Sequence, residues 1–133
     1  GTDIFGDALT ESVTGANAGV ATSSGFFKTI ASITAVGDPA GNVKAGVSNS
    51  CADNIFAGPA RLKGAYIVNS ATAGTIKFRT TSVSGTTLME VGTVASATVT
   101  RDITIPEEGM RFPSGIIITY TGGTFTSITA FHA

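Results

Sequence analysis

Apolar and polar positions alternate along much of the second half of the chain. In residues 75–81 (TIKFRTT), Ile76 and Phe78 fall on one side and Lys77 and Arg79 on the other. A period of two predicts a half-buried β-strand. Residues 99–105 (VTRDITI) repeat the pattern, with Val99, Ile103 and Ile105 opposite Asp102 and Thr104. Further strands are predicted over residues 62–68 (LKGAYIV), 86–91 (TTLMEV), 116–121 and 125–131. Between them lie turn signals: residues 69–74, Ser82-Val83-Ser84-Gly85, and Gly122-Gly123, which reads as a tight hairpin turn. No stretch sustains a helical period.

The first sixty or so residues are patterned more loosely. Residues 26–36 (FFKTIASITAV) are long enough for one strand, and residues 42–47 (NVKAGV) for its return. Asp38-Pro39-Ala40-Gly41-Asn42 would turn the chain between them, Pro39 presetting φ and Gly41 accepting φ > 0. Residues 1–25 are rich in Gly, Ala, Thr and Ser. They read as an extended arm that orders against neighbours, with a short strand near Leu9–Val13. The chain then divides into an arm over residues 1–25 and a β-domain over residues 26–133. Roughly eight strands without a helical crossover predict antiparallel pairing in a two-sheet sandwich, jelly-roll-like in preference to immunoglobulin-like. The chain has no Trp and a single Cys, so the immunoglobulin Cys…Trp…Cys pattern cannot be built.

Several strands are apolar on both sides. Ile116, Ile118 and Tyr120 face one way and Ile117 the other. Phe125 and Phe131 fall opposite Ile128 and Ala130. A sandwich strand needs only one buried face, so the second implies cover by the arm or by another subunit. Composition agrees: 42% of the 133 residues are hydrophobic but only 13% are charged, against a typical ~25%. Such a surface costs little to desolvate.

Charge and chemistry narrow the function. The net charge is −1, with no basic stripe for nucleic acid. No apolar run is long enough for a spanning helix. Residues 1–6 (GTDIFG) show no leader-peptide pattern, and Phe5 stands where a myristoylation signal would want Ser or Thr. Cys51 is the only cysteine and His132 the only histidine. The first reads as an inert thiol and the second as an exposed histidine near the chain end, with no metal partner at a usual spacing. Gly15 and Gly19 lack the strand-to-helix context of a phosphate loop. Asp3, Asp7 and Glu11 lack the denser carboxylate pattern of a calcium loop. Sugar platforms use exposed aromatics, but Tyr66 and Tyr120 both fall in predicted strands.

The sharpest chemical candidate is Glu107-Glu108, within IPEEGMRFP. Adjacent residues on an extended chain point to opposite sides, so they do not share a reacting centre as a glycosidase pair does. Pro106 ends a strand, Gly109 permits a left-handed turn, and Met110 and Phe112 tuck back toward the core. The two carboxylates are then solvated turn residues, one of them pairing with Arg111. No catalytic, cofactor-binding or metal-binding residue is assigned, and the chain is not expected to be an enzyme.

The segments Arg61-Leu62-Lys63-Gly64-Ala65-Tyr66-Ile67-Val68, residues 73–79, residues 84–89, residues 102–112, residues 115–120 and residues 126–131 together resemble a pattern of small virion structural proteins of tailed bacteriophages. Residues 32–43 fit more loosely. The resemblance implies a capsid decoration or cement protein on the capsid exterior, made in the host cytoplasm. It implies partnership with the major capsid protein or other virion subunits, and a homo-oligomer such as a trimer. A tail or fibre module that recognises host-surface glycan is the alternative. The resemblance supplies no catalytic residues.

Overall fold

A computed structural model describes residues 1–16, 19–37, 41–46, 50–95 and 99–133. The chain forms two compact units, Gly1–Ser48 and Asn49–Ala133. The expected turn at Asp38-Pro39-Ala40, Val47 and the middle of the Gly15–Gly19 segment lie outside the described residues, and residues 42–46 do not form the expected return strand.

The first unit has one small sheet, β1 (Thr2–Asp3) paired antiparallel with β2 (Phe27–Thr29). Most of the described residues among 1–25 are exposed, and several are tied to one another. Gly1 and Leu9 exchange backbone hydrogen bonds of 3.1 and 3.0 Å. The Asp3 carboxylate accepts from the backbone N–H of Phe5 and Asp7 at 2.9 and 3.0 Å, an Asx turn. No strand forms near Leu9. Of residues 26–36, only Phe27–Thr29 pair; the remainder is unpaired among the described residues.

The second unit is an all-β, antiparallel, two-sheet sandwich. One sheet has the order β3 (Ser50–Phe56), β9 (Ile116–Gly122), β5 (Gly74–Arg79), β6 (Thr87–Gly92). In the other, β10 (Phe125–His132) and β7 (Val99–Thr104) flank β4 (Ala60–Asn69), and β8 (Met110–Phe112) also pairs with β4. Inner faces of both sheets supply the core: Leu62, Ala65 and Ile67 from β4, Ile76 and Phe78 from β5, Val91 from β6, Phe112 from β8, Ile116 and Ile118 from β9. Ile76 and Phe78 are fully buried while Lys77 and Arg79 keep partial exposure, as the alternation requires.

Two β-bulges change which side chains face inward. In β10, Phe125 pairs with Asn69 and Ser127 with Val68, leaving Thr126 as the extra residue. An inserted residue inverts the alternation. Phe125 therefore packs against the core with Ile128 and Ala130, correcting the expectation that it faces the other way. Phe131 does point outward, 52% exposed. The second bulge is at Lys63, which has no partner between Leu62–His132 and Gly64–Phe131. It explains why Leu62 is buried and then Ala65, Ile67 and Asn69 rather than the even-numbered positions.

One connection and one strand also differ from expectation. Gly122 and Gly123, both at positive φ, do not close a hairpin: β9 pairs with β3 and β5, whereas β10 pairs with β4. The turn carries the chain from one sheet to the other. Its closeness to the start of β5 needs glycine, since a Cβ on Gly123 would lie 3.1 Å from Gly74 Cα. Strand β3 (SCADNIF) was not anticipated, because Asp53 and Asn54 lower its strand propensity. Pairing along β9 supplies what the sequence lacks: Cys51 opposite Tyr120, Asp53 opposite Ile118 and Asn54 opposite Ile117.

Candidate functional site

The carboxylate pair lies where one strand is interrupted. β7 pairs with residues 64–69 of β4 and β8 with residues 60–62, both antiparallel and along the same side. They are two pieces of one line, and residues 105–109 loop out opposite Lys63. Gly109 N–H donates to Pro106 C=O at 3.2 Å, closing the turn with Glu107 and Glu108 at its tip. Glu107 sits at φ 56° and Gly109 at φ 77°. Lys63 Nζ donates to the backbone carbonyls of Glu108 and Glu107 at 2.9 and 3.4 Å, and Arg61 Nη1 to that of Glu108 at 3.4 Å. The basic residues thus hold the turn's backbone. Glu108 meets Arg61 only at 4.0 Å, with its side chain 83% exposed. The partner is Arg61 and not the expected Arg111, which stands directly across the ladder from Arg61. A pair so exposed contributes at most about 1 kcal/mol. Nothing here encloses a substrate between the two carboxylates.

The remaining chemical candidates are separated. His132 is exposed, as expected, but it belongs to β10 and its ring rests 5.0 Å from that of Phe56. Cys51 lies at the other end of β3, five residues from Phe56 and so roughly 16 Å along the strand. A Cys–His pair does not form. Asp3 is engaged in its Asx turn. Glu11 accepts from Ser24 N–H and Oγ, both at 2.8 Å, and from Gly25 N–H at 2.9 Å. Those backbone bonds, with the Ser24 hydroxyl, hold the Glu11 carboxyl below the usual carboxylate range. Among the described residues, no group of three or more His, Cys, Asp or Glu side chains could hold a metal ion.

One concave surface gathers polar and aromatic groups together. A groove of about 220 Å³ runs between β10 of one sheet and β9 with β3 of the other. Ile118, Tyr120, Phe125, Ile128, Ser127 and Asp53 line it. Tyr120 and Phe125 meet edge to face, with ring centroids 5.4 Å apart. A hydrogen bond with the Cys51 side chain raises the Tyr120 pKa, helped by burial and by electrostatic interaction with Cys51 and Asp53. The inward turn of Phe125, which builds one wall, follows from the bulge at Thr126 and is not visible in strand alternation. Outside the groove lining, Phe56, Tyr66 and Phe131 are 40%, 38% and 52% exposed. No protein-family model matches this chain, and comparisons with curated sequences and with solved structures give no match.

Proposed function

We propose that the chain is a virion structural protein, acting as a capsid decoration or cement subunit and not as an enzyme. Its role is adhesive: it buries apolar surface against copies of itself, the major capsid protein or other virion subunits, and so resists the outward pressure of packaged DNA. The observation that supports assembly is the exposure of large aliphatic side chains over unpaired backbone. Ile30, Ile33, Val36 and Val43 are 59%, 62%, 98% and 62% exposed. Each such side chain contributes about 1.5–3 kcal/mol when fully buried, so a partner that covers all four gains substantially. The low charge of the chain keeps the cost of that burial small. The capsid setting rests on the resemblance of residues 61–131 to phage virion proteins.

Counting copies per particle by quantitative mass spectrometry tests the setting. A decoration protein is present in numbers comparable to capsid subunits; absence from particles overturns the proposal. Deleting residues 1–20 should reduce incorporation and particle heat resistance if the arm contributes to attachment. The second reading, a tail or fibre module binding glycan, is favoured by the groove, where Tyr120, Phe125, Asp53 and Ser127 combine aromatic faces with hydrogen-bonding groups. Low copy number together with a positive glycan array would select it.

A further inference from the structure

The tetrapeptide Ser-Ile-Thr-Ala occurs twice, at residues 32–35 and at residues 127–130. The second copy forms the middle of β10, where Ile128 and Ala130 pack toward the core while Ser127 and Thr129 face out. The first lies in the unpaired part of the leading unit, where Ile30, Ile33 and Val36 are exposed. A segment with the side-chain pattern of an edge strand is thus without a strand partner among the described residues.

β10 offers the place for it. The strand is eight residues long and sits at the end of its sheet, so one row of its backbone N–H and C=O groups is unpaired among the described residues. Residues 125–131 contain no Lys, Arg, Asp, Glu, Pro or Gly. Charge, proline and short length are common guards of a sheet edge, and residues 125–131 carry none of them; the irregularity along β10 is its bulge at Thr126. The groove beside it has Ile118, Tyr120, Phe125 and Ile128 in its walls and a volume of about 220 Å³. An added strand alternates its side chains as β10 does, turning alternate residues inward over that groove and the rest outward, to the side on which Phe131 is exposed.

We infer that residues 30–36 of one copy add as a further strand to the open edge of β10 in a second copy. In the register set by the shared tetrapeptide, Ile33 and Ala35 turn inward and Ser32, Thr34 and Val36 outward. Residues 30–36 carry no charge, so docking desolvates none on that side. The inference deepens the assembly reading, since it names the self-contact by which subunits join. It does not require a capsid.

The test uses the full chain. Ile33→Asp places a charge at a position already 62% exposed, so the fold of the single chain is expected to survive. Ser127→Lys does the same on the receiving edge, again at an exposed residue. Multi-angle light scattering over a concentration series should show the wild-type chain above monomer mass. Each variant should weaken association by at least about tenfold, with an unchanged far-ultraviolet circular dichroism spectrum. Amide hydrogen exchange across residues 127–131 should be slowed by assembly in the wild type and not in the Ile33→Asp variant. A wild-type chain that stays monomeric overturns the inference, as does an Ile33→Asp variant that assembles and protects β10 like the wild type. A chain abundant in virions yet monomeric when purified sinks the strand addition alone; one that self-associates but is missing from virions sinks the capsid role alone.

Discussion

Along one side of β4 the neighbouring strand is broken: β7 stops at Thr104, residues 105–109 loop out, and β8 resumes at Met110. Along the other side β10 runs from Phe125 to His132, interrupted only by bulges. Both are edges of the same sheet, yet they present different surfaces. The first carries Pro106 and two exposed glutamates, and Arg101 takes an inner-face position between Val99 and Ile103, half-buried with Nε unpartnered. A charge pointing inward on an edge strand makes pairing with another chain costly. The second edge has no such residue over its first seven positions. The two edges are guarded differently: by proline, exposed glutamates and an inward arginine along β7 and β8, and by the bulge at Thr126 along β10.

The comparison can be broken most forcefully at Phe112, which is fully buried and anchors the resumed strand. Phe112→Ala should cost about 3–5 kcal/mol, read as a fall in the urea midpoint, and should detach β8 first in hydrogen exchange. Next is Gly109, where φ is 77° and an added Cβ would stand 2.6 Å from the Leu62 carbonyl oxygen. Gly109→Ala should cost about 1–3 kcal/mol by forcing the loop away from β4. If its midpoint matches the wild type, the loop is not held against that strand.

Arg101→Met sharpens the contrast, because it keeps the reach of the side chain and removes a buried donor without a partner. Stability should rise by about 1 kcal/mol, while light scattering should show more self-association through the β7 edge. Glu107→Gly relieves a left-handed residue at φ 56° and should gain about 0.5–1 kcal/mol. Retention of any biological activity in that variant also argues against a catalytic glutamate. The smallest effect is expected in the first unit, at Glu11. Its carboxyl is held below its ordinary value of 4.5, so the folded state favours the charged form. That stabilisation is present above about pH 4.5 and is lost as pH falls through the lowered folded value. Amide exchange at Ser24 and Gly25, corrected for intrinsic rates, should quicken over that window, and Glu11→Gln should remove the pH dependence.

Much of the second unit was legible in local pattern. Ile76 and Phe78 against Lys77 and Arg79, and Val99, Ile103 and Ile105 against Asp102 and Thr104, place their strands and inner faces without further help. The turn at Glu107-Glu108 was legible too, since Pro106 and Gly109 punctuate it. The ion-pair partner was not: Arg61 and Arg111 are equally basic, and only the ladder puts Arg61 beside the loop. The β3 strand was missed because its Asp-Asn centre argues against pairing, and the long strand over residues 26–36 was overestimated because its pattern and that of its expected return over residues 42–47 are local, whereas only Phe27–Thr29 find a partner, in β1. The repeated Ser-Ile-Thr-Ala was in plain sight, but its meaning depends on knowing that one copy is paired and the other is not.

The sequence by itself determined that this is a strand-and-turn protein with more aliphatic surface than charge. Those properties follow from side chains two residues apart and from the conformational limits of Gly and Pro, which act locally. Tertiary structure alone decided that Gly122-Gly123 passes the chain between sheets, that β7 and β8 share one side of β4, and that Phe125 turns inward. Each of these depends on which distant strand supplies the hydrogen bonds. A single unpaired residue in a ladder, Thr126 or Lys63, reverses the facing of everything beyond it, and no local alternation records that choice.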